Sequence, residues 1–288
     1  KSKLLETPEL RNSSLDPIEM MEVDGELFVT GTQMLFPEAR HFLMNLNTEK
    51  ISWFEGKKGT PTYLGKDRAI LSFLNMQSAK YLSISKYDTQ KDIFKQVHEY
   101  DLSEFLYGKF GNFGDFVLGI VAKDIDENER ISMVLNVLPN PDRSDFDEAL
   151  KTVNYHVLFD LNLITGSYSV NILPKIDVPQ SLGPRFLFIG GDLFMSIESW
   201  DPDRINVFEA AWGISGNESK LLQLFKFNND LQDWEVKKKF HGYNNIEAVI
   251  GSRTLLGEGG VGAVFSRFYD IATEELSGRL PVVSGSAN

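Results

Sequence analysis

Val157-Leu158-Phe159-Asp160-Leu161-Asn162-Leu163-Ile164-Thr165-Gly166-Ser167-Tyr168-Ser169-Val170 is the stretch whose reading decides the fold. An apolar run meets a short cluster of Asn, Thr, Gly and Ser, and a second run follows. Alternating apolar residues on either side of turn-forming residues read as two strands of one hairpin.

The same design recurs along the chain. Phe42 to Phe54 (FLMNLNTEKISWF), Leu82 to Phe94 (LSISKYDTQKDIF), Leu222 to Val236 (LQLFKFNNDLQDWEV) and Val264 to Leu276 (VFSRFYDIATEEL) are hairpins of that kind. Each has Asn or Asp at the turn, often with Thr. Other strand pairs precede them. Ile18 to Val23 with Glu26 to Thr30 stands before the first hairpin, and Arg185 to Ile189 with Asp192 to Ile197 before the fourth. Asp24-Gly25 and Gly190-Gly191 read as tight turns inside those pairs. Two hairpins make a four-stranded sheet whose apolar faces need a neighbouring sheet on each side. Repetition at roughly 40–50 residues predicts an all-β protein, a β-propeller of about five four-stranded blades in a single domain.

The expected organisation is an N-terminal arm over residues 1–14 and a propeller domain over 15–288. Spacing between hairpins is irregular, with a long gap from Asp88 to Asn162. Ser144 to Val153 (SDFDEALKTV) fits a short helix inserted there, with Ser144 as cap and acids in its first turn. Leu102 to Leu106 reads as a second short turn. The closing strand is expected from Leu280 to Val283 or from the N-terminal arm.

Composition narrows the function classes. With 288 residues the chain is long enough to bury a core unaided. Its 42% hydrophobic content excludes a disordered chain. A net charge of −12 repels phosphate backbones, which argues against nucleic acid as partner. The absence of cysteine excludes disulfides, thiolate metal sites and cysteine nucleophiles. No apolar run reaches the roughly 18 residues of a membrane span. The start at Lys1 reads as a trimmed leader and leans towards a periplasmic, cell-surface or secreted location.

Several short patterns match catalytic or binding motifs without the context those motifs require. Gly257-Glu258-Gly259-Gly260-Val261-Gly262 has dinucleotide-fingerprint spacing, but Ala263 to Phe268 reads as a strand where a helix is needed. It is expected to be a glycine-rich hairpin. Asp124-Ile125-Asp126-Glu127-Asn128 begins like a calcium loop, yet Glu129 and Leu135 stand where Gly and Glu belong. Ser83-Ile84-Ser85-Lys86 matches S-x-x-K inside a strand. His41, His98, His156 and His241 are scattered, and none has ligand spacing with a carboxylate. No cofactor or metal is expected.

The hairpins resemble the outer strands of kelch-like propellers, in which an aromatic-Asp-x-x-Thr turn leads to a large residue. Tyr87-Asp88-Thr89, Phe159-Asp160-Leu161 and Tyr269-Asp270-Ile271-Ala272-Thr273 carry the resemblance, with Trp53 and Trp234 on the strands that follow. The double glycine of kelch repeats and the Gly-His and Trp-Asp marks of WD40 repeats are missing. Ser14-Leu15-Asp16-Pro17-Ile18 and Val23 to Gly31 resemble the opening of five-bladed arabinosidases and xylosidases. That resemblance implies Asp16 as a general base. It also implies acids opening the next two blades, where this chain has Thr62-Tyr63-Leu64-Gly65 and then Asp115 alone. Glu198 and Glu209 are acids of a later blade.

Ser196 to Gly213 (SIESWDPDRINVFEAAWG) is dense in Trp, Asp, Glu and Arg. Aromatic rings beside hydrogen-bonding charges hold peptides and sugars, so Trp200, Asp201, Arg204 and Trp212 are the candidate ligand-binding residues. The expected function is non-catalytic binding of a protein, peptide or glycan. The alternative is a five-bladed glycoside hydrolase acting on polysaccharide side chains through Asp16.

Overall fold

The computed structural model describes residues 14–23, 25–35, 38–54, 61–63, 70–74, 81–88, 93–101, 116–138, 155–178, 183–201, 220–258 and 265–281. The segments expected as an insertion helix (Ser144 to Val153) and a short turn (Leu102 to Leu106) lie outside these residues. So does the arm, apart from Ser14, which begins the first strand.

Five antiparallel sheets follow one another along the chain. The first holds β1 (Ser14–Val23), β2 (Glu26–Leu35), β3 (Glu38–Asn45) and β4 (Ile51–Phe54). The second holds β5 (Pro61–Tyr63), β6 (Ile70–Leu74), β7 (Tyr81–Asp88) and β8 (Ile93–Asp101). The third holds β9 (Phe116–Ile125), β10 (Arg130–Leu138), β11 (Tyr155–Asn162) and β12 (Tyr168–Ile172). The fourth holds β13 (Pro184–Ile189), β14 (Asp192–Trp200), β15 (Lys220–Asn228) and β16 (Asp233–His241). The fifth holds β17 (Asn245–Ile250), β18 (Arg253–Glu258), β19 (Phe265–Asp270) and β20 (Glu275–Leu276), with β21 (Leu280–Pro281) also paired to β19. Each sheet is an up-and-down meander from one contiguous segment. This is a β-propeller arrangement, and no helix occurs among the described residues.

The chain divides into two compact units, Lys1–Ile172 with the first three sheets and Leu173–Asn288 with the last two. In the first unit, Ile84 of β7 and Tyr100 of β8 pack with Ile131, Met133 and Leu135 of β10 and with Phe159 of β11. In the second, Ile189, Phe194, Leu222 and Phe240 of the fourth sheet pack with Ile246, Leu256 and Tyr269 of the fifth. Both cores are therefore sheet-on-sheet. Alternation along each strand decides which residues enter them.

The five sequence hairpins are the third and fourth strands of the five sheets. Four of their turns share one physical device. The Oδ1 atoms of Asn45, Asn162, Asn228 and Asp270 each accept backbone N–H groups two and three residues on, at 2.9–3.3 Å. A residue with positive φ follows four places after each: Glu49 (60°), Gly166 (72°), Gln232 (52°) and Glu274 (58°). An Asx turn closed by a left-handed residue reverses the chain in the space available. The expected alignment of Phe159-Asp160-Leu161 with the turn is out by two residues. Asp160 is a strand residue hydrogen-bonded to Ser132 Oγ at 2.5 Å and ion-paired with Arg130 at 3.3 Å. Asn162 is the turn residue. Between β13 and β14, Gly190 and Gly191 both have positive φ, as a two-residue hairpin turn of type I′ requires.

The C-terminal strand differs from expectation. β21 pairs with β19 of its own sheet, placing Leu280 opposite Ser266 and Pro281 opposite Phe265. It extends the outer edge begun by β20, and β1 to β4 complete the first sheet from their own segment.

Connections are distributed unevenly between the two ends of the second, third and fourth sheets. The turns joining first to second and third to fourth strands are short, as at 126–129, 190–191 and 251–252. Several connections at the opposite end are long: 102–115, 139–154, 173–183 and 201–219. Long surface connections on a rigid sheet are where binding residues collect.

Candidate functional site

The long-connection end of the fourth sheet gathers five polar or aromatic side chains. β14 ends at Trp200 and β15 begins at Lys220, and the two residues are cross-strand partners. Glu198 lies two residues before Trp200, so alternation puts both on one face. Lys220 sits diagonally across from Glu198, and its Nζ is 2.6 Å from Glu198 Oε1. The same Nζ is 4.4 Å from the centre of the Trp200 ring. One ammonium thus bridges a carboxylate and an aromatic face, a contact worth about 0.5–2 kcal/mol depending on desolvation.

The other face of this sheet end carries a second pair. His241 closes β16 opposite Leu221. Its Nδ1 lies 2.5 Å from Oδ2 of Asp201, the residue after β14. The Asp201 side chain is 1% exposed and that of His241 is 42% exposed. A carboxylate only accepts, so Nδ1 carries the proton of this hydrogen bond. The rest of the ring stands at a partly open surface. Ser199 Oγ donates to the backbone oxygen of Leu221 at 3.5 Å, tying β14 to β15 at this point.

Of the residues expected from the sequence, Trp200 and Asp201 meet here. Arg204 and Trp212 lie outside the described residues, as does Glu209. Asp16 is on β1 opposite Thr32, and its side chain lies outside the described residues. No histidine has ligand spacing with a carboxylate in the sequence, and the carboxylate that meets His241 comes from 40 residues away. Lys220 was also missed. Counting outward from the Asn228 turn along β15 and β16 brings Lys220 and His241 to one end, and that register was the available signal.

The remaining motif matches resolve into strands and turns. Ser83 and Ser85 are buried within β7, and Ser83 Oγ donates to Glu99 Oε2 at 2.9 Å. Asp126 Oδ1 accepts from the backbone N–H groups of Asn128 and Arg130 at 2.8 and 2.9 Å, making the acidic segment a hairpin turn. Gly257 and Glu258 are in β18, which pairs with β19, so a strand follows the glycine-rich segment. Among the described residues no three His, Asp or Glu side chains are grouped to hold a metal, and no helix is long and apolar enough to cross a membrane.

No protein-family model and no curated protein sequence matches this chain. Solved structures do. The acylaminoacyl peptidase of Pyrococcus horikoshii aligns at TM-score 0.53 and 12% identity over 94% of this chain and 40% of that one. A structure of prolyl endopeptidases aligns at TM-score 0.51 and 10% identity over 98% of this chain and 36% of that one. The β-propeller domain of the Trilobed protease from Pyrococcus furiosus aligns at TM-score 0.49 and 11% identity, over 94% and 71% of the two chains. The likeness is one of fold. This chain spans 40% or less of the two peptidase chains with the higher scores.

Proposed function

We propose that this chain is a non-catalytic recognition module. In this reading the five sheets are five blades of a single domain over residues 15–288, and the long-connection end binds a protein or peptide. The observation that carries it is the cluster of Glu198, Trp200, Lys220, Asp201 and His241 at that end of the fourth sheet. It combines an aromatic face, an ammonium, a carboxylate and an oriented imidazole. These are recognition groups, and Trp is among the residues that dominate binding energy where a partner desolvates them. Because the structures of like fold are peptidases, peptides are the first ligands to try.

The test is a peptide array with a glycan array beside it, followed by titration of the strongest hit. Trp200→Ala is expected to weaken binding by about tenfold or more, as for a hot-spot aromatic. Lys220→Met, which keeps most of the side-chain length, is expected to weaken it less. Unchanged affinity in both variants removes the reading. Hydrolysis of arabinan or xylan oligosaccharides, abolished by Asp16→Asn, would install the glycoside hydrolase instead.

A further inference from the structure

β12 is the outer edge of the third sheet, bonded to β11 on one side and unpaired among the described residues on the other. The phase of its hydrogen bonds follows from the turn beside it. The Asn162 N–H donates to the Ser167 oxygen at 2.9 Å, and the same register runs on to Leu161 opposite Tyr168. Antiparallel ladders alternate hydrogen-bonded with non-hydrogen-bonded pairs, so Ser169 and Asn171 bond to β11. Tyr168, Val170 and Ile172 therefore turn their backbone N–H and C=O groups away from the sheet.

Such an edge is ordinarily blunted by charge, proline or shortness. The other outer edges obey that rule. β8 carries Lys95, Glu99 and Asp101, and β16 carries Glu235 and Lys237 to Lys239. β20 and β21 are two residues each, with Glu275 and Pro281. β4 is four residues long, and its Ile51, Ser52 and Trp53 are half-buried. β12 has no charged residue, and its Tyr168 and Ile172 are 49% and 38% exposed. The Tyr168 ring is stacked on that of Phe159, 5.5 Å between centres, which holds it in place. Beyond the strand Leu173 is buried and Pro174 has no N–H to donate, so the edge ends at Ile172.

The order of side chains along this edge suits a second copy of itself. Turned about a two-fold axis through Val170, a second β12 runs antiparallel to the first. Tyr168 then meets Ile172 of the second copy, and Val170 meets its equivalent. These are the residues whose N–H and C=O groups point outward, so each pair exchanges two backbone hydrogen bonds. A register one residue away would set outward-pointing groups against inward-pointing ones. On one face the apolar residues Tyr168, Val170 and Ile172 meet their like. On the other Ser169 meets Asn171, polar with polar, and no like charges oppose each other.

We propose that β12 is a self-association edge, across which two copies of this chain join their third sheets antiparallel with Val170 on the two-fold axis. A ladder of five residues falls below the roughly 1,200–2,000 Å² of a stable interface, so the dimer is transient, with a Kd on the order of 0.1–1 mM. The residues involved all belong to the third sheet and none to the fourth-sheet cluster.

The test is sedimentation equilibrium and backbone NMR of the full chain from about 0.01 to about 1 mM, in about 0.15 M salt to screen the repulsion between copies carrying −12 each. The expected result is an average mass that rises with concentration, with shifts at Tyr168 to Ile172 and the turn beside them. Ser169→Lys combined with Asn171→Lys sets like charges opposite each other, twice by symmetry, and should weaken association by about tenfold or more. Ser169→Lys combined with Asn171→Glu sets opposite charges at the same positions and should restore it. Both positions are exposed, so the variants keep the fold. Association undiminished in the like-charge variant, equal loss in both variants, or shifts confined to another sheet overturns the proposal. A chain that stays monomeric to the highest concentration overturns it too. If that monomer takes up an added Tyr-Ser-Val-Asn-Ile peptide at β12, the edge belongs to a peptide partner instead.

Discussion

Asp201 Oδ2 and His241 Nδ1 stand 2.5 Å apart across the end of the fourth sheet, from positions 40 residues apart in sequence. The buried carboxylate fixes the ring's orientation and its tautomer. Asp201→Ala is expected to cost about 1–3 kcal/mol in urea unfolding, because it removes a buried hydrogen-bonding group. Nitrogen-correlated NMR of the imidazole should show the proton on Nδ1 in the native protein. A ring protonated on Nε2 alone would refute the assignment.

The Asx turns support a second prediction. Asn162→Ala and Asn228→Ala each remove an acceptor of two backbone N–H groups, and each should destabilise by about 0.5–1.5 kcal/mol per lost bond. Asn162→Asp keeps the acceptor and should be tolerated. Gln232, at φ 52°, is in the left-handed region that costs a side-chain-bearing residue roughly 1–2 kcal/mol. Gln232→Gly should therefore stabilise, although the more flexible unfolded chain offsets part of the gain. Chemical denaturation of the variants checks both signs.

The turn of the fifth sheet is expected to lose stability in acid. The Asp270 carboxyl is held below its ordinary range by the hydrogen bond from Arg253, with further donation from the backbone N–H groups of Thr273 and Ala272. Glu274 is lowered by its hydrogen bond and charge contact with Lys237. Groups depressed in the folded state stabilise it above their unfolded values and lose that contribution as pH falls through the folded ones. Asp270→Asn should thus flatten the decline of Tm below about pH 4. Lys237 is raised by the same hydrogen bond to Glu274, so its contribution is lost only at strongly alkaline pH. An acid limb of equal slope in wild type and Asp270→Asn would contradict the assignment.

Tyr269 gives a prediction of opposite sign to most core substitutions. Its ring is fully buried, 4.8 Å from that of Phe240, yet its hydroxyl has no hydrogen-bond partner. Desolvation holds the phenol above its ordinary pKa. Tyr269→Phe keeps the ring and removes the unsatisfied group, so it should be neutral or stabilising by up to about 1–3 kcal/mol. Tyr269→Leu should destabilise through lost ring contacts. A Phe variant that loses stability would mean the hydroxyl is satisfied by a buried water.

Much of the architecture was legible because its signals are local. All five hairpins were visible as alternating runs around Asn or Asp, since turn geometry depends on a handful of consecutive residues. Trp200 and Asp201 stood out by composition. His241 and Lys220 did not, because nothing in their own neighbourhoods marks them.

The sequence by itself determined that this is an all-β repeat protein, through strand alternation and Asx turns that each act over a few residues. The tertiary structure decided which residues face one another. Pairing β14 with β15 and β16 brought Trp200 to Lys220 and Asp201 to His241. The reason is register. A one-residue slip between strands exchanges the two faces of a sheet, and that register is held by the sheet-on-sheet core and not by the site residues themselves.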